Sequence, residues 1–168
     1  MFDQAIAQTA GRATRLDLTH ALLTILSAGL VAGAMDITAA CIHGVVRGGT
    51  PMRVLQSVAG GLLGRDTFQG GLKTAALGLA LHFFIATTWA AVYYAASLKL
   101  PVLVRQAVPC GLFYGVLVYL VMYTIVLPLS ALNFRFLSLS ASVILTGVLI
   151  HLCCVGLPIA LTIRWRTR

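Results

Sequence analysis

The sequence predicts an all-α integral membrane protein, a bundle of four transmembrane helices with one short interfacial or re-entrant helix between spans 1 and 2. Three observations predict this class. Hydrophobic residues make up 60% of the 168 residues, and the mean hydropathy is +0.97. Charged residues make up only 10%, against about 25% in a typical soluble domain. The apolar residues also fall into four runs, each close to the roughly 20 residues that a helix needs to cross a bilayer.

The four runs and the short helix divide the chain in order. The predicted spans cover about residues 21–42, 72–98, 109–128 and 139–161, and the short helix covers about residues 51–63. Thr50 followed by Pro51 is a helix-start signal, and Gly64 is a helix-stop signal. The helix between them is too short to span, so we expect it to lie at the interface or to re-enter the bundle. The whole of residues 1–168 is predicted to form a single transmembrane domain.

The tetrapeptide Asp66 to Gln69 follows the short helix. An acid followed three residues later by Gln is typical of a capping box. We therefore expect these residues to open the second span.

Small residues recur at helical spacing within the spans. In the first span they share one face with Asp36 and His43, at steps of four and three residues. Lipid provides no hydrophobic drive between helices, so close packing in a membrane uses small residues at the contacts. The predicted packing residues are Gly29, Gly33, Gly78, Gly111, Gly115 and Gly147.

The positions of Lys and Arg predict the orientation. Seven lie in the two tails and the second loop, whereas five lie in the first loop and, as Arg135, in the third. Loops on the cytoplasmic side carry the excess of positive charge. The sequence therefore predicts that the N- and C-termini are both cytoplasmic.

Asp36 is one of only four acids in the chain, and it lies inside the first apolar run. A carboxylate at the centre of a membrane helix costs at least about 3 kcal/mol. At 1.5 Å per residue, Asp36 and His82 lie at similar depths, roughly 10–15 Å from the same membrane face. These depths predict an internal polar cluster, with a pocket mouth on the first-loop side. The cluster is predicted to contain Asp36, His82, Tyr119, Tyr123 and His151, and the mouth His43, Arg53 and Gln56.

Two functions fit this pattern. The first is a structural or accessory protein that packs through its small-residue faces, as a homo-oligomer or within a larger membrane complex. We favour it because nothing beyond the cluster indicates a substrate. The second is a small proton-coupled transporter or channel that uses Asp36 and His82, since such groups mark proton and ion pathways. An enzyme is the third choice, because GxSxG, HExxH, P-loop and paired-carboxylate patterns are missing.

No cofactor and no metal are expected. The four cysteines show no CxxC spacing. Haem held between His82 and His151 is an alternative, since both lie on small-residue faces. The net charge of +8 is spread in ones and twos beside apolar runs, which predicts contact with the headgroups of the lipid bilayer and no nucleic acid.

Three runs carry a resemblance to known proteins: residues 29–40, residues 51–65 with FQGG at 68–71, and residues 77–97. They resemble a group of short four-span bacterial inner-membrane proteins. The resemblance covers roughly residues 29–129. It implies a multi-pass protein of the bacterial inner (plasma) membrane, and it carries no activity and no functional residues.

Overall fold

The structure, a computed structural model, describes residues 2–132 and 140–168, with side chains from residue 17 onward. Four of its helices are long and apolar enough to cross a membrane: α1 (Phe2–Val46, apolar over Asp17–Val46), α3 (Gly71–Lys99), α5 (Ala107–Leu129) and α6 (Ala141–Arg166). Two further helices are short, α2 (Pro51–Leu63) and α4 (Val102–Arg105). Within these described ranges the chain forms no strand. The predicted all-α class with four apolar helices is therefore confirmed.

The helices extend beyond the apolar runs from which the spans were predicted. α1 runs from Phe2 to Val46 and α3 ends at Lys99, because backbone hydrogen bonding continues a helix past the apolar residues that predict a span. The predicted start of the fourth span at residue 139 lies outside the described residues, as does Arg135.

The start and stop signals of α2 are confirmed. The Thr50 hydroxyl accepts a hydrogen bond from the backbone N–H of Arg53 at 3.3 Å, and Pro51 is the first helical residue. Gly64 ends the helix with φ 74°, in the left-handed region that favours glycine. The helix therefore has the length and both boundaries that its sequence encodes.

The capping box predicted at Asp66–Gln69 is wrong. Residues Gly64–Gln69 form a 3₁₀ helix, and α3 begins after Gly70, which provides no side-chain cap. The Thr67 hydroxyl instead donates to the Gln56 carbonyl at 3.3 Å. This hydrogen bond holds the 3₁₀ helix against α2. Asp66 therefore lies inside the 3₁₀ helix and not at the position that caps α3.

The long helices contact one another in specific pairs. α1 packs against α3 and α6, α5 packs against α6, and α2 lies on α3. The Nε of Arg166 donates to the Thr24 hydroxyl at 3.4 Å, which places the end of α6 beside the start of the apolar part of α1. α3 and α5 meet through aromatic side chains: the Tyr114 hydroxyl donates to the Trp89 carbonyl at 2.7 Å, and the Tyr93 and Tyr114 rings lie 4.9 Å apart.

α5 and α6 cross with their backbones in direct contact. A Cβ atom on Gly156 would overlap the backbone of both Gly111 and Gly115. A Cβ on Gly115 would lie 2.5 Å from the His151 carbonyl oxygen. Three glycines therefore set the separation of these helices, and Gly156 was not among the predicted packing residues.

The other predicted packing glycines also contact neighbouring helices of the same chain. The nearest groups to an added Cβ are Thr87 for Gly29, Phe83 for Gly33, the Leu55 carbonyl for Gly78 and Tyr119 for Gly147. The first two contacts join α1 to α3, the third joins α3 to α2, and the fourth joins α6 to α5. Each small residue thus serves a contact within the chain.

Two wide turns interrupt the last two long helices. The ranges Met122–Val126 and His151–Gly156 are π-helical, each closed by a hydrogen bond between residues five apart. Pro128 and Pro158 follow them, two residues beyond each range. A proline lacks the N–H and clashes with the carbonyl four residues earlier, and a widened turn relieves both problems. Each proline therefore accounts for the π turn before it.

Large apolar side chains cover the outside of the bundle. Phe84 is 69% exposed and Phe113 is 72% exposed. Leucines behave in the same way along α1 and α6, including Leu22 and Leu145. Exposed apolar patches of this extent mark surfaces that contact lipid or protein.

Candidate functional site

A cavity of about 540 Å³ lies among α1, α2, α3, α5 and α6, and we call it the bundle cavity. Most of its wall is apolar, with side chains such as Ile37, Ile85 and Val118. Within residues 17–132 and 140–168, neither Lys nor Arg lines it. Its polar and ionisable lining residues are Asp36, His43, Ser57, His82, Tyr123, Ser130 and His151.

Asp36 and His82 face each other across the α1–α3 contact. The His82 Nε2 lies 3.9 Å from the Asp36 Oδ2, and the two side chains are 12% and 17% exposed, respectively. The same Nε2 lies 2.9 Å from the Gly33 carbonyl oxygen. A carbonyl only accepts, so Nε2 carries the proton, and the Nδ1 of the neutral ring is an acceptor. The backbone of α1 therefore fixes the tautomer of His82.

The Asp36 carboxylate is not satisfied by this pairing. A separation of 3.9 Å exceeds hydrogen-bond range. Among the described residues, none donates a hydrogen bond to the carboxylate. A largely buried acid in this state is costly to keep charged. The carboxylate is therefore open to a proton or to a ligand in the bundle cavity.

His151 belongs to an aromatic group on the α5–α6 side. Its Nδ1–H donates to the Gly147 carbonyl at 2.9 Å, which leaves Nε2 as the acceptor. Its ring meets that of Tyr119 edge-on at 5.2 Å, and the Tyr119 and Tyr123 rings stack at 4.4 Å. Tyr123 lines the bundle cavity, whereas Tyr119 is 1% exposed and packs behind it against Gly147. Four of the five predicted cluster residues thus reach the cavity wall.

Of the three predicted mouth residues, the structure places only His43 on the cavity wall. Gln56 is 3% exposed, and its Nε2 donates to the Gly71 carbonyl at 3.1 Å and to the Thr74 hydroxyl at 3.3 Å. Arg53 lies over the Phe68 ring, 5.8 Å from its centroid. Both side chains point away from the cavity because α2 docks on α3 with its Gln56 face. The wall is formed by the opposite face of α2, which includes Ser57.

Several lining residues were missed in the sequence. Trp89 lies seven residues after His82 on α3, a spacing that returns to the same helix face and could have identified it. Met122 and Val126 reach the wall through the π turn, and only the proline that follows gave a local signal. Ser57 and Ser130 carried no signal, since their positions depend on how α2 docks.

Comparisons of the chain with protein-family models, with curated proteins and with solved structures find no match. The resemblance of three runs to short bacterial inner-membrane proteins therefore stays a prediction. Function has to be inferred from the geometry of the bundle cavity.

The same residues bear on metal and haem binding. Over the described part of the chain, no group of three His, Cys, Asp or Glu side chains is arranged to hold a metal ion. His82 and His151 do line the same cavity. The Nε2 of His82, however, donates to the Gly33 carbonyl, and that hydrogen bond would have to break before Nε2 could ligate haem iron.

Proposed function

We propose that this protein is a small membrane transporter or channel that binds a solute in the bundle cavity and couples binding to protonation of Asp36. The observation that carries the proposal is the carboxylate itself. It lies on the wall of a 540 Å³ cavity, and none of the described residues donates a hydrogen bond to it. Pockets that bind small molecules usually enclose about 300–1,000 Å³ and place a few polar groups on apolar walls. The bundle cavity has both properties.

The accessory hypothesis receives less support from the packing. It required small-residue faces that were available to another protein. Gly29 and Gly33 instead contact α3, and Gly111 and Gly115 contact α6. The faces that would have bound a partner are used to build the bundle.

The ionisable groups extend along the cavity. His43 is seven residues from Asp36, about 10 Å along α1 towards the first loop. Tyr123 and His151 lie on the opposite wall, on α5 and α6. A solute in the bundle cavity would therefore lie between Asp36 and His82 on one wall and the aromatic group on the other.

A thermal unfolding screen tests the proposal. Purified protein in mild detergent is heated with small compounds that carry apolar groups and a positive charge, a negative charge or no charge. We expect at least one class to raise the unfolding temperature of the wild type, since a ligand that binds only the folded state stabilises it. Asp36→Asn should lose this response.

Asp66→Asn is the matched control, because Asp66 is an exposed acid outside the cavity wall. It should respond as the wild type does. A wild type that no compound stabilises, or an Asp36→Asn variant with the full response, would contradict the proposed function. A second protein that co-purifies in fixed ratio would instead favour the accessory role.

A further inference from the structure

We infer that the solute of the bundle cavity is a lipophilic organic cation: a quaternary ammonium, a phosphonium or a protonated amine that carries apolar groups. The inference rests on the proposed function and deepens it by naming the chemical class of the ligand. Two independent features carry it, the charge of the wall and the chemistry of its surface.

The charge of the wall is opposite to that of the chain. The sequence holds 12 Lys and Arg against four Asp and no Glu. Among the described residues none of the basic side chains lines the cavity, whereas Asp36 does. Asp36 is the single acid among the described lining residues. A cation would supply the charge partner that the carboxylate lacks, and an anion would meet repulsion.

The surface of the wall suits an organic cation better than a metal ion. Ca²⁺ and Mg²⁺ need about six or more oxygen ligands, and this wall is mostly apolar. Trp89 and Tyr123 line the cavity, and aromatic faces attract cations. The Trp89 ring is held edge-on against Tyr114 at 6.2 Å, so its position is fixed before a ligand arrives. Apolar groups on the ligand would contact side chains such as Ile85 and Val118.

Cation binding and protonation compete for the same carboxylate. When Asp36 is protonated, the arriving cation takes the place of its proton, and one proton leaves for each cation bound. In the described part of the chain, the other titratable groups near Asp36 are His82 on α3, Tyr123 on α5, His151 and Cys154 on α6, and His43 on α1 itself. This exchange would provide the coupling that the proposed function requires.

Equilibrium dialysis with radiolabelled tetraphenylphosphonium tests the inference, with tetraphenylborate as a probe of matched size and shape and opposite charge. The protein is the full chain in detergent micelles, and empty micelles give the background. We expect saturable binding of one tetraphenylphosphonium per chain and no saturable binding of tetraphenylborate. Asp36→Asn should weaken the phosphonium binding at least tenfold, and Asp66→Asn should leave it unchanged. Thermal unfolding of both variants establishes that they are folded.

Each outcome decides something. Equal binding of the two probes, or phosphonium binding that survives Asp36→Asn, would overturn the inference. Saturable, Asp36-dependent binding of the neutral triphenylphosphine oxide without phosphonium binding would overturn the inference and leave the proposed function standing. If none of the probes binds and the thermal screen also finds no ligand, both fail.

Discussion

At the scale of single residues, Asp36 combines a high cost with few compensating contacts. Among the described residues its ion-pair contact is with the His82 Nε2 at 3.9 Å, and that nitrogen already donates to the Gly33 carbonyl. A residue retained only for packing would normally have its hydrogen bonds satisfied. We therefore expect the carboxylate to detract from stability, as a residue retained for the proposed function would.

Asp36→Asn is expected to keep the fold and to increase its stability. The substitution removes a charge to which none of the described residues donates a hydrogen bond, and the gain should be about 1–3 kcal/mol, in line with the cost of an acid inside a membrane helix. Reversible unfolding in mixed detergent micelles measures it. A marked loss of stability would show that the carboxylate has a structural partner.

His82 is expected to link α1 and α3 through one hydrogen bond. His82→Leu should cost about 0.6–1.7 kcal/mol, the range of hydrogen bonds between membrane helices. His82→Gln is the matched control, because its amide can donate to the Gly33 carbonyl and should recover part of the loss. The same unfolding measurement separates the two, and equal stability of both variants with the wild type would exclude a structural role for this bond.

Gly156 is expected to tolerate no side chain. In Gly156→Ala the new Cβ would overlap the backbone of Gly111 and Gly115, so α5 and α6 must separate. We expect a loss of at least about 1–3 kcal/mol, the usual cost of overpacking. Gly61→Ala provides the comparison, because its Cβ would lie 3.8 Å from the Ser130 Cβ, an ordinary contact. Unfolding of the two variants under identical conditions gives the difference directly, and a Gly156→Ala protein as stable as Gly61→Ala would refute the close crossing.

At the scale of elements, α2 has two faces with different tasks. One face holds Gln56 against the start of α3, and the other places Ser57 on the wall of the bundle cavity. The backbone N–H of Ala131 also donates to the Gly61 carbonyl at 2.9 Å, which attaches the end of α2 to the segment after α5. The short helix is thus held at its middle and near its C-terminal end while it forms part of the wall.

Gln56→Leu should loosen α2 without unfolding the bundle. The side chain is 3% exposed, and the substitution removes its hydrogen bonds to the half-buried Gly71 carbonyl and Thr74 hydroxyl, at a cost of about 0.5–1.5 kcal/mol for each bond. Hydrogen exchange of residues 51–63 should accelerate. Ser57→Ala, on the opposite face, should leave this exchange unchanged, and similar exchange in both variants would argue against the docking of α2 through Gln56.

At the scale of the whole molecule, the bundle brings its two ends to one side. The contact between Arg166 and Thr24 places the C-terminal end of α6 beside the start of the apolar part of α1. Four membrane crossings require the same arrangement. Because α2 lies in the connection between α1 and α3, it belongs on the opposite side.

The excess of Lys and Arg predicts that α2 faces away from the cytoplasm. Single cysteines at Ser57 and at Thr167, in a chain whose own cysteines are replaced, test this with a membrane-impermeant thiol reagent. In right-side-out vesicles Ser57→Cys should react and Thr167→Cys should not, and inverted vesicles should reverse the result. Reaction of both from one side would contradict the four-crossing arrangement.

The features that could be predicted from the sequence are those that local sequence determines. The four apolar helices, the Thr50 cap and the Gly64 stop depend on residues within a few positions of one another. The orientation of Gln56 and Arg53 depends on how α2 rotates against α3, which no local pattern specifies. The contact of Gly156 with α5 was missed for a related reason: its register follows from a π turn that shifts the helix faces. The proximity of Asp36 and His82 could be predicted from their depth and helix face alone, since both lie on long, regular helices.

The two π turns have a consequence for the length of the chain. A π turn is an α-helix with one additional residue, so the segments before and after it keep their faces if that residue is lost. Deleting one residue from Met122–Val126 or from His151–Gly156, with the following proline replaced by alanine, would restore a continuous α-helix. The same deletion one turn earlier would rotate everything beyond it by about 100°. Related chains that differ in length by one residue within these spans should therefore carry the difference at these two turns.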